Sequence, residues 1–349
     1  MSSAVADRPA SEGATSIAKL VTELSRVMRT AVGEIGVITA STEMLAINAR
    51  IESVRAGQSG AAFGVVASEI HGLSGKTTNV AATMVGRTQQ LIDRIGSNVR
   101  GTRLSDLALM NIDLVDRNLY ERTCDVRWWA TDSSLVNALE SPSPKAYAYA
   151  SKRMGVILNA YTVYHDLVLT DLSGRIIANG RPDRFNSRGA SAADTPWFRQ
   201  AIGSRSGDEF GFATAHRSPL VGNKSVLGYS CGVRRGGDAR GPLLGVLGVL
   251  FNWEAFAQTI VNSVPLAEDE RDATRVYLCD EEGTLLADSW GKQLDETVRL
   301  PDQKALFAEE KNFAMREIHG KQFCVAHARA PGFETYSTGW HSVLIQPVS

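Results

Sequence analysis

Covalent chemistry needs particular residue types at particular spacings, and few such sets occur in this chain. The four cysteines, Cys124, Cys231, Cys279 and Cys324, are scattered, with no C-x-x-C and no histidine at metal-ligand spacing, so buried reduced thiols are expected. No G-x-S-x-G and no H-E-x-x-H is present. Gly75-Lys76-Thr77 ends like a phosphate-binding loop, but Ile70 stands where that motif needs its first glycine. The acids Asp280, Glu281 and Glu282 fall in a turn, where solvation accounts for them, and His165 on a strand reads as a structural histidine. No enzyme, cofactor or metal site is therefore expected. What remains is a set suited to recognition: Asn48, Glu52 and Arg55 share one helical stripe, and Val65 follows across a glycine-bounded turn. The plain reading of that stripe is a solvated face with Glu52 and Arg55 as an (i, i+3) pair; the sharper reading is a partner-docking surface.

The elements that carry this set are helical. Ile17, Val21, Leu24, Met28, Ala31, Ile35, Ile38, Thr42, Leu45, Ala49 and Glu52 alternate in steps of four and three, which is a heptad seam. Phe63, Val66, Ile70, Leu73, Thr77, Val80 and Met84 repeat it, and Gly57-Gln58-Ser59-Gly60 lies between. The pattern predicts an antiparallel helical hairpin over 14–104, a coiled coil whose apolar face stays partly wet. Pairing into a four-helix homodimer is the expected remedy. At 349 residues the chain has room for two or three domains, and its aromatic residues, apart from Phe63, begin at Tyr120. A coiled-coil front and a globular back follow from that shift. The net charge of -1 points to neither nucleic acid nor an anionic membrane surface. The most apolar run, Pro242 to Phe251, is shorter than the ~20 residues a spanning helix needs, so no membrane span is expected. Residues 1–13 read as a disordered lead-in without a signal sequence, and the protein is expected to be cytoplasmic.

The stretch from Leu45 to Leu73 resembles the hairpin tip of the bacterial chemoreceptor signalling domain (methyl-accepting chemotaxis proteins). Leu45, Ala46, Asn48, Ala49, Ile51, Glu52, Arg55, Ala56, Gly57, Gly60, Phe63, Val65, Val66, Ala67, Glu69 and Leu73 stand at the family's offsets without a gap. The resemblance implies that Asn48, Glu52, Arg55 and Val65 help receptor dimers pack together, and that the tip docks a histidine kinase and its coupling adaptor. Ala40 replaces a family phenylalanine of that contact, Gln58 replaces an acidic turn residue, and the arms are too short for methylation helices.

From Leu104 a helical pattern continues as a connecting helix (105–160 with the start of the next domain), with Trp128 and Trp129 as packing anchors and a break at Ser141-Pro142-Ser143-Pro144. The period then changes. Tyr164 to Ala178 reads as strand, turn, strand; Asp194-Thr195-Pro196-Trp197-Phe198 opens a short helix; and strands are predicted at Gly211–Ala215, Ser225–Val233 and Leu243–Phe251. A helix at Trp253–Val261 closes that unit, and a second set of strands is expected at Arg275–Cys279, Thr284–Ala287, Phe313–Ile318, Lys321–Ala328 and His341–Gln346. The fold class is thus α+β, with two antiparallel-sheet units at 161–265 and 266–349 after the helical part. These units resemble the double Cache sensor domain, a PAS-like pair common in bacterial receptors. The resemblance implies a small-molecule ligand in the first unit. Thr195 and Asn252 match the positions where amino-acid-binding relatives carry an Arg and an Asp, so the usual amino-acid mode is not expected. Trp197, Thr195, Phe212, Tyr229 and Asn252 are the candidates for a pocket with an apolar wall and a few polar contacts. The function expected is a chemoreceptor-like transducer that senses a small molecule and signals to a kinase and adaptor. The alternative is a non-sensing structural adaptor that packs with other chemoreceptors in arrays.

Overall fold

The computed structural model describes residues 11–292, 294 and 296–348, and the side chains of 11–22 lie outside the description. The chain divides into two compact units, Met1–Arg100 and Gly101–Ser349. The first holds helix α1 (Ser11–Arg55), a single 3-10 turn at Gly57–Gly60, and the first part of helix α2 (Ala61–Trp129). Gly57 makes the turn possible by taking φ +59, a left-handed conformation that costs glycine nothing. The two helices lie side by side through a stripe of small residues. Ser25, Val32, Thr39, Ala46 and Ser53 on α1, and Gly60 at the end of the turn with Ala67, Ser74, Ala81 and Thr88 on α2, recur every seven residues and are buried or half-buried. A Cβ on Gly60 would overlap the Ser53 carbonyl oxygen, and one on Gly64 would come within 2.9 Å of Ser53 Oγ. Across the pair, Glu43 Oε1 lies 3.6 Å from His71 Nδ1.

The large apolar seam is elsewhere. Leu24, Ile35, Ile38 and Leu45 on α1, and Phe63, Val66, Leu73, Val80 and Met84 on α2, are exposed, Leu45 at 69% and Phe63 at 73%. Most of the described seam that the sequence predicts between the two arms therefore faces outward, while Met28, Thr42, Ile70 and Thr77 are half-buried; Ile17 and Val21 lie outside the described side chains. The reason is steric: helices approach most closely where side chains end at Cβ or Oγ, so the small stripe takes the contact and the bulky one is excluded from it. A second departure concerns membranes. Within α1, the stretch Glu23–Arg55 is long and apolar enough to cross a bilayer by length and composition. The expectation of no span rests on runs of consecutive apolar residues, and length with composition does not by itself make this helix a span. In α1, Ala, Thr and Gly separate the apolar residues, and only Glu34 and Glu43 interrupt residues 30–49. The same composition is what an arm of a helical bundle carries.

The second unit begins within α2, which ends at Trp129, and adds α3 (Ser133–Glu140) and α4 (Pro144–Ala160). Asp132 caps α3 and Ser143 caps α4, whose first residue is Pro144, so the Ser-Pro-Ser-Pro break is a helix start. Two five-stranded antiparallel sheets follow. The first consists of β1 (Tyr164–Asp171), β2 (Ile176–Asn179), β3 (Gly211–Ser218), β4 (Lys224–Arg234) and β5 (Leu243–Asn252), in the order β2-β1-β5-β4-β3. The second consists of β6 (Arg275–Cys279), β7 (Leu285–Asp288), β8 (Lys311–Ile318), β9 (Lys321–Arg329) and β10 (His341–Pro347), in the order β7-β6-β10-β9-β8. The repeated strand order makes the two sheets copies of one unit. Helix α5 (Pro196–Ile202) precedes β3, α6 (Trp253–Asn262) and the short α7 (Glu268–Arg271) lie between the sheets in sequence, and α8 (Gln303–Phe307) precedes β8.

Both faces of each sheet are covered, which is why β5 reads as a nearly unbroken apolar run rather than an alternating one. One shared core joins α2 to the two sheets: Leu104, Ala108, Ile112, Val115, Leu119 and Val126 are fully buried with Leu227, Tyr229, Phe251, Leu278 and Leu344. The opposite face of the first sheet carries Trp197 and Phe198, and that of the second carries Leu300 and Leu306. Polar ties fix α2 in the unit. Asp116 accepts from Gly332 N (2.9 Å) and Thr338 Oγ1 (2.7 Å), and Arg103 makes a two-pronged pair with Glu270 at 2.7 Å on each arm. Trp129 packs edge-on against Tyr161 and Tyr164, while Trp128 is exposed, so only the second of the two tryptophans is an anchor.

Candidate functional site

The alternation of strands decides which candidate residues can meet. Trp197, on the first turn of α5, lies over β4 and β5 where both strands carry glycine. A Cβ on Gly228 would stand 2.6 Å from its Cδ1, and one on Gly248 would stand 2.7 Å from Cζ3 and Cη2. The indole is fully enclosed, at 1% exposure, by Phe198, Val168, Val226, Val246 and Leu250. Thr195 caps α5: its hydroxyl donates to Ala192 O at 2.7 Å and accepts from Phe198 N at 3.3 Å. Phe212 and Tyr229 pair across β3 and β4 on the other face of the same sheet, in the core that contains α2. Tyr229 is fully buried, and its hydroxyl lies 3.2 Å from that of Tyr336. Asn252 caps α6 through Oδ1, which accepts from Ala255 N at 3.3 Å. The five residues thus do not form one pocket. Trp197 with Thr195 fills one face, Phe212 with Tyr229 fills the other, and Asn252 stands at the end of β5.

Asn252 does border a cavity of about 390 Å³, with Leu158, Asn159, Thr162, Tyr164, His165, Arg181, Arg184 and Lys224. Three of these are cations and none is an acid. Arg181 is fixed as a strut: Nη1 donates to Tyr164 O (2.7 Å) and His165 O (2.9 Å), and Nη2 to Leu158 O (2.8 Å). Its own backbone N–H is held by Asp166 Oδ1 at 2.9 Å, and Asp166 is fully buried with Asn179 Nδ2 at 2.8 Å on its other oxygen. Burial raises the Asp166 carboxyl to about 6 even against those hydrogen bonds. Burial first, then Lys224 and Arg181, depress His165 to about 4, so the imidazole is neutral at physiological pH. His165 Nε2 has no hydrogen-bond partner among the described residues. Sequence reasoning missed Arg184 and Lys224 and took His165 as structural. The set comes from five segments between 158 and 252, so no local motif could have announced it.

At the turn of the first unit, Asn48, Glu52, Arg55 and Val65 are all exposed, and Glu52 Oε1 accepts from Arg55 Nη1 at 2.7 Å. The four therefore present an ion pair, the Asn48 amide and an apolar side chain to solvent on either side of Gly57–Gly60. Among the described residues, no group of three or more His, Cys, Asp or Glu is placed to hold a metal.

Comparison with known proteins gives two family matches. Residues 65–349 match the family described as Cache domain, and residues 2–105 match the methyl-accepting chemotaxis protein (MCP) signalling domain. The shared residues, 65–105, all lie within α2. Among solved structures, the ligand-binding domain of Campylobacter jejuni chemoreceptor Tlp3 in complex with 4-methylisoleucine is similar at 13% identity and a TM-score of 0.54, covering 72% of this chain and 92% of that one. The V. cholerae histidine kinase DctB sensor domain is similar at 15% identity and 0.54, covering 73% and 98%. The Tlp3 domain in complex with L-valine gives 14% and 0.52, covering 72% and 94%. At such identities the likeness is one of fold. No curated protein matches the chain significantly.

Proposed function

For a chain that belongs to the Cache domain family, and whose N-terminal part matches the MCP signalling domain, we propose the role of a chemoreceptor-type transducer without enzymatic activity. In this reading the unit of residues 101–349 senses a small molecule. Residues 14–104 act as an antiparallel helical hairpin whose tip residues Asn48, Glu52, Arg55 and Val65 dock a chemotaxis-type histidine kinase and its coupling adaptor. The observation that carries the reading is the continuity of α2. One uninterrupted helix supplies both the returning arm beside α1 and, from Leu104 to Val126, the centre of the core shared by the two sheets. A ligand that binds two arrangements of that core with different affinity would bias the same helix.

The exposed seam supports a homodimer, in which the bulky stripes of two hairpins cover each other as a four-helix bundle. Cys124, Cys231 and Cys279 are in no disulfide, which supports a reducing compartment and hence the cytoplasm. A second reading is favoured by the packing around Trp197, which leaves no room beside α5: a structural adaptor whose tip joins arrays of other receptors without sensing. Reconstitution with a purified chemotaxis kinase and adaptor tests both. A sensor changes kinase autophosphorylation in response to some member of a metabolite panel. An adaptor changes it to the same extent whatever is added. Glu52→Ala and Arg55→Ala are expected to abolish the effect without lowering the melting temperature, since both side chains are exposed. A kinase effect that survives both substitutions, or none in the parent protein, overturns the two readings together.

A further inference from the structure

The cavity at the end of the first sheet has properties that the family match does not assign. Its lining gathers the C-terminal end of α4, the start of β1, the 181–184 segment after β2, the first residue of β4 and the last of β5. Arg181 is committed to three backbone carbonyls, and this fixes a positive charge in the wall without consuming the cavity's other cations. Arg184 and Lys224 are exposed, and neither has an ion-pair partner among the described residues. Burial first and then the neighbouring Arg184 lower the Arg181 pKa, against the buried Asp166 carboxylate that raises it, so the two guanidinium groups stand close enough to repel. Neutral donors stand between them: the amides of Asn159 and Asn252, the hydroxyl of Thr162 and the imidazole of His165, which is about nine-tenths buried. Carboxylate and phosphate oxygens are the groups that such a set satisfies, because each can accept several charge-assisted hydrogen bonds at once. An amine or a cationic ligand would face the three cations Arg181, Arg184 and Lys224 with no acid in the lining.

We propose that this cavity binds a small oxyanion ligand, a metabolite carrying a carboxylate or phosphate group, with Arg184 and Lys224 as its charged contacts and His165 and Asn252 as neutral ones. The proposal deepens the sensor reading by naming the chemistry of the ligand. It also moves the site from the Trp197 face to the rim where β1, β4 and β5 end.

Inorganic phosphate, acetate and malonate serve as probes, each titrated against the full chain at constant ionic strength set with sodium chloride. The readouts are the melting temperature and calorimetric heat. At least one probe is expected to give a saturable rise in melting temperature, since a ligand bound only by the native state stabilises it by mass action. Which probe does so separates a phosphate site from a carboxylate site. Arg184→Gln/Lys224→Gln should weaken that probe at least tenfold. Lys152→Gln, which removes an exposed cation from α4 outside the cavity lining, should leave its affinity unchanged. The double variant removes only exposed side chains, so it is expected to fold; circular dichroism checks this. The assignment is overturned if none of the three probes gives a saturable shift beyond the chloride control. It is equally overturned if the double variant keeps the parent affinity, or if Lys152→Gln loses as much. Those outcomes would leave the kinase experiment free to support a sensor for some other ligand, so the two failures are distinguishable.

Discussion

Truncation of Trp197 separates a packed core from an open pocket wall, and the structure gives the size of the effect. The indole is enclosed on every side and rests on two glycines. Trp197→Ala should therefore cost about 3–5 kcal/mol, the range for emptying a large buried aromatic site. For a unit of this size about 1 kcal/mol moves the midpoint by roughly 2–4 °C, so the melting temperature should fall by about 6–20 °C. Gly248→Ala attacks the same contact from the other side. Its Cβ would stand 2.7 Å from two ring carbons and 3.0 Å from Val168 Cγ2, and overpacking of that kind costs about 1–3 kcal/mol. The two changes should not add. With the indole gone, the new methyl group enters the space left behind, and the double variant should be more stable than the sum of the single losses by roughly 1–2 kcal/mol. Chemical unfolding followed by circular dichroism supplies all three numbers. A loss under about 1 kcal/mol for Trp197→Ala, or strict additivity, would refute the packing argument and return Trp197 to the list of ligand contacts.

Acid should unfold the second sheet through a pair of histidines. His327 and His341 are buried side by side on β9 and β10, with Nδ1 atoms 3.4 Å apart, Phe307 stacked on the second ring and Arg329 nearby. Burial depresses both from 6.5 to about 4, so each is neutral in the fold but takes up a proton when unfolded. Stability from this source is complete above about pH 6.5 and is lost as pH falls toward 4. It amounts to about 3 kcal/mol for one such shift, and the coupled pair yields less than twice that. His327→Gln/His341→Gln should flatten the midpoint-versus-pH curve over that window, and an unchanged slope would count against the assignment. His165 has a shift of the same sign, so the slope difference between parent and variant is the quantity to measure. On the signalling side, Tyr164 lines the cationic cavity and its hydroxyl donates to Asp125 on α2 at 2.5 Å. Tyr164→Phe should leave probe binding within about twofold yet reduce any ligand-driven change in kinase output. A full response in that variant would exclude this hydrogen bond as the route.

Much of the second unit could be read from residue order because its signals are local. Asp171 and Gly174 frame the first tight turn, where Gly174 takes φ +84, and the apolar runs on either side became β1 and β2. The pattern places Arg275–Cys279 to the residue, and its bounds for β8, β9 and β10 lie within two residues of the observed ends. The interior arrangement was less legible. The period of two in β4 does say that Gly228 and Tyr229 face opposite ways, and hence that Trp197 and Tyr229 cannot share a pocket once α5 covers one face. Nothing in the sequence says which face α5 will cover. The cavity cations were beyond reach for a similar reason: Arg184 and Lys224 meet only because β4 and the segment after β2 end at the same rim of the sheet.

The first unit shows how a correct period can be assigned to the wrong contact. Two stripes with a seven-residue repeat run along α1, one of Leu, Ile and Met and one of Ser, Thr and Ala. Hydrophobic pattern alone selects the first as the seam, because burying a Leu gains more than burying a Ser. Geometry reverses the choice for the intramolecular pair. The turn from Gly57 to Gly60 is too tight to hold bulky side chains between the arms, and Gly60 already touches the Ser53 carbonyl. The small stripe lies between the two helices and most of the large one stays exposed. In the homodimer proposed above, the apolar stretch in α1 would have a use that needs no bilayer. The same residues that satisfy a membrane-span criterion are the ones that a second hairpin would cover, so the exposed seam and the elevated hydropathy are one property of the chain seen in two ways.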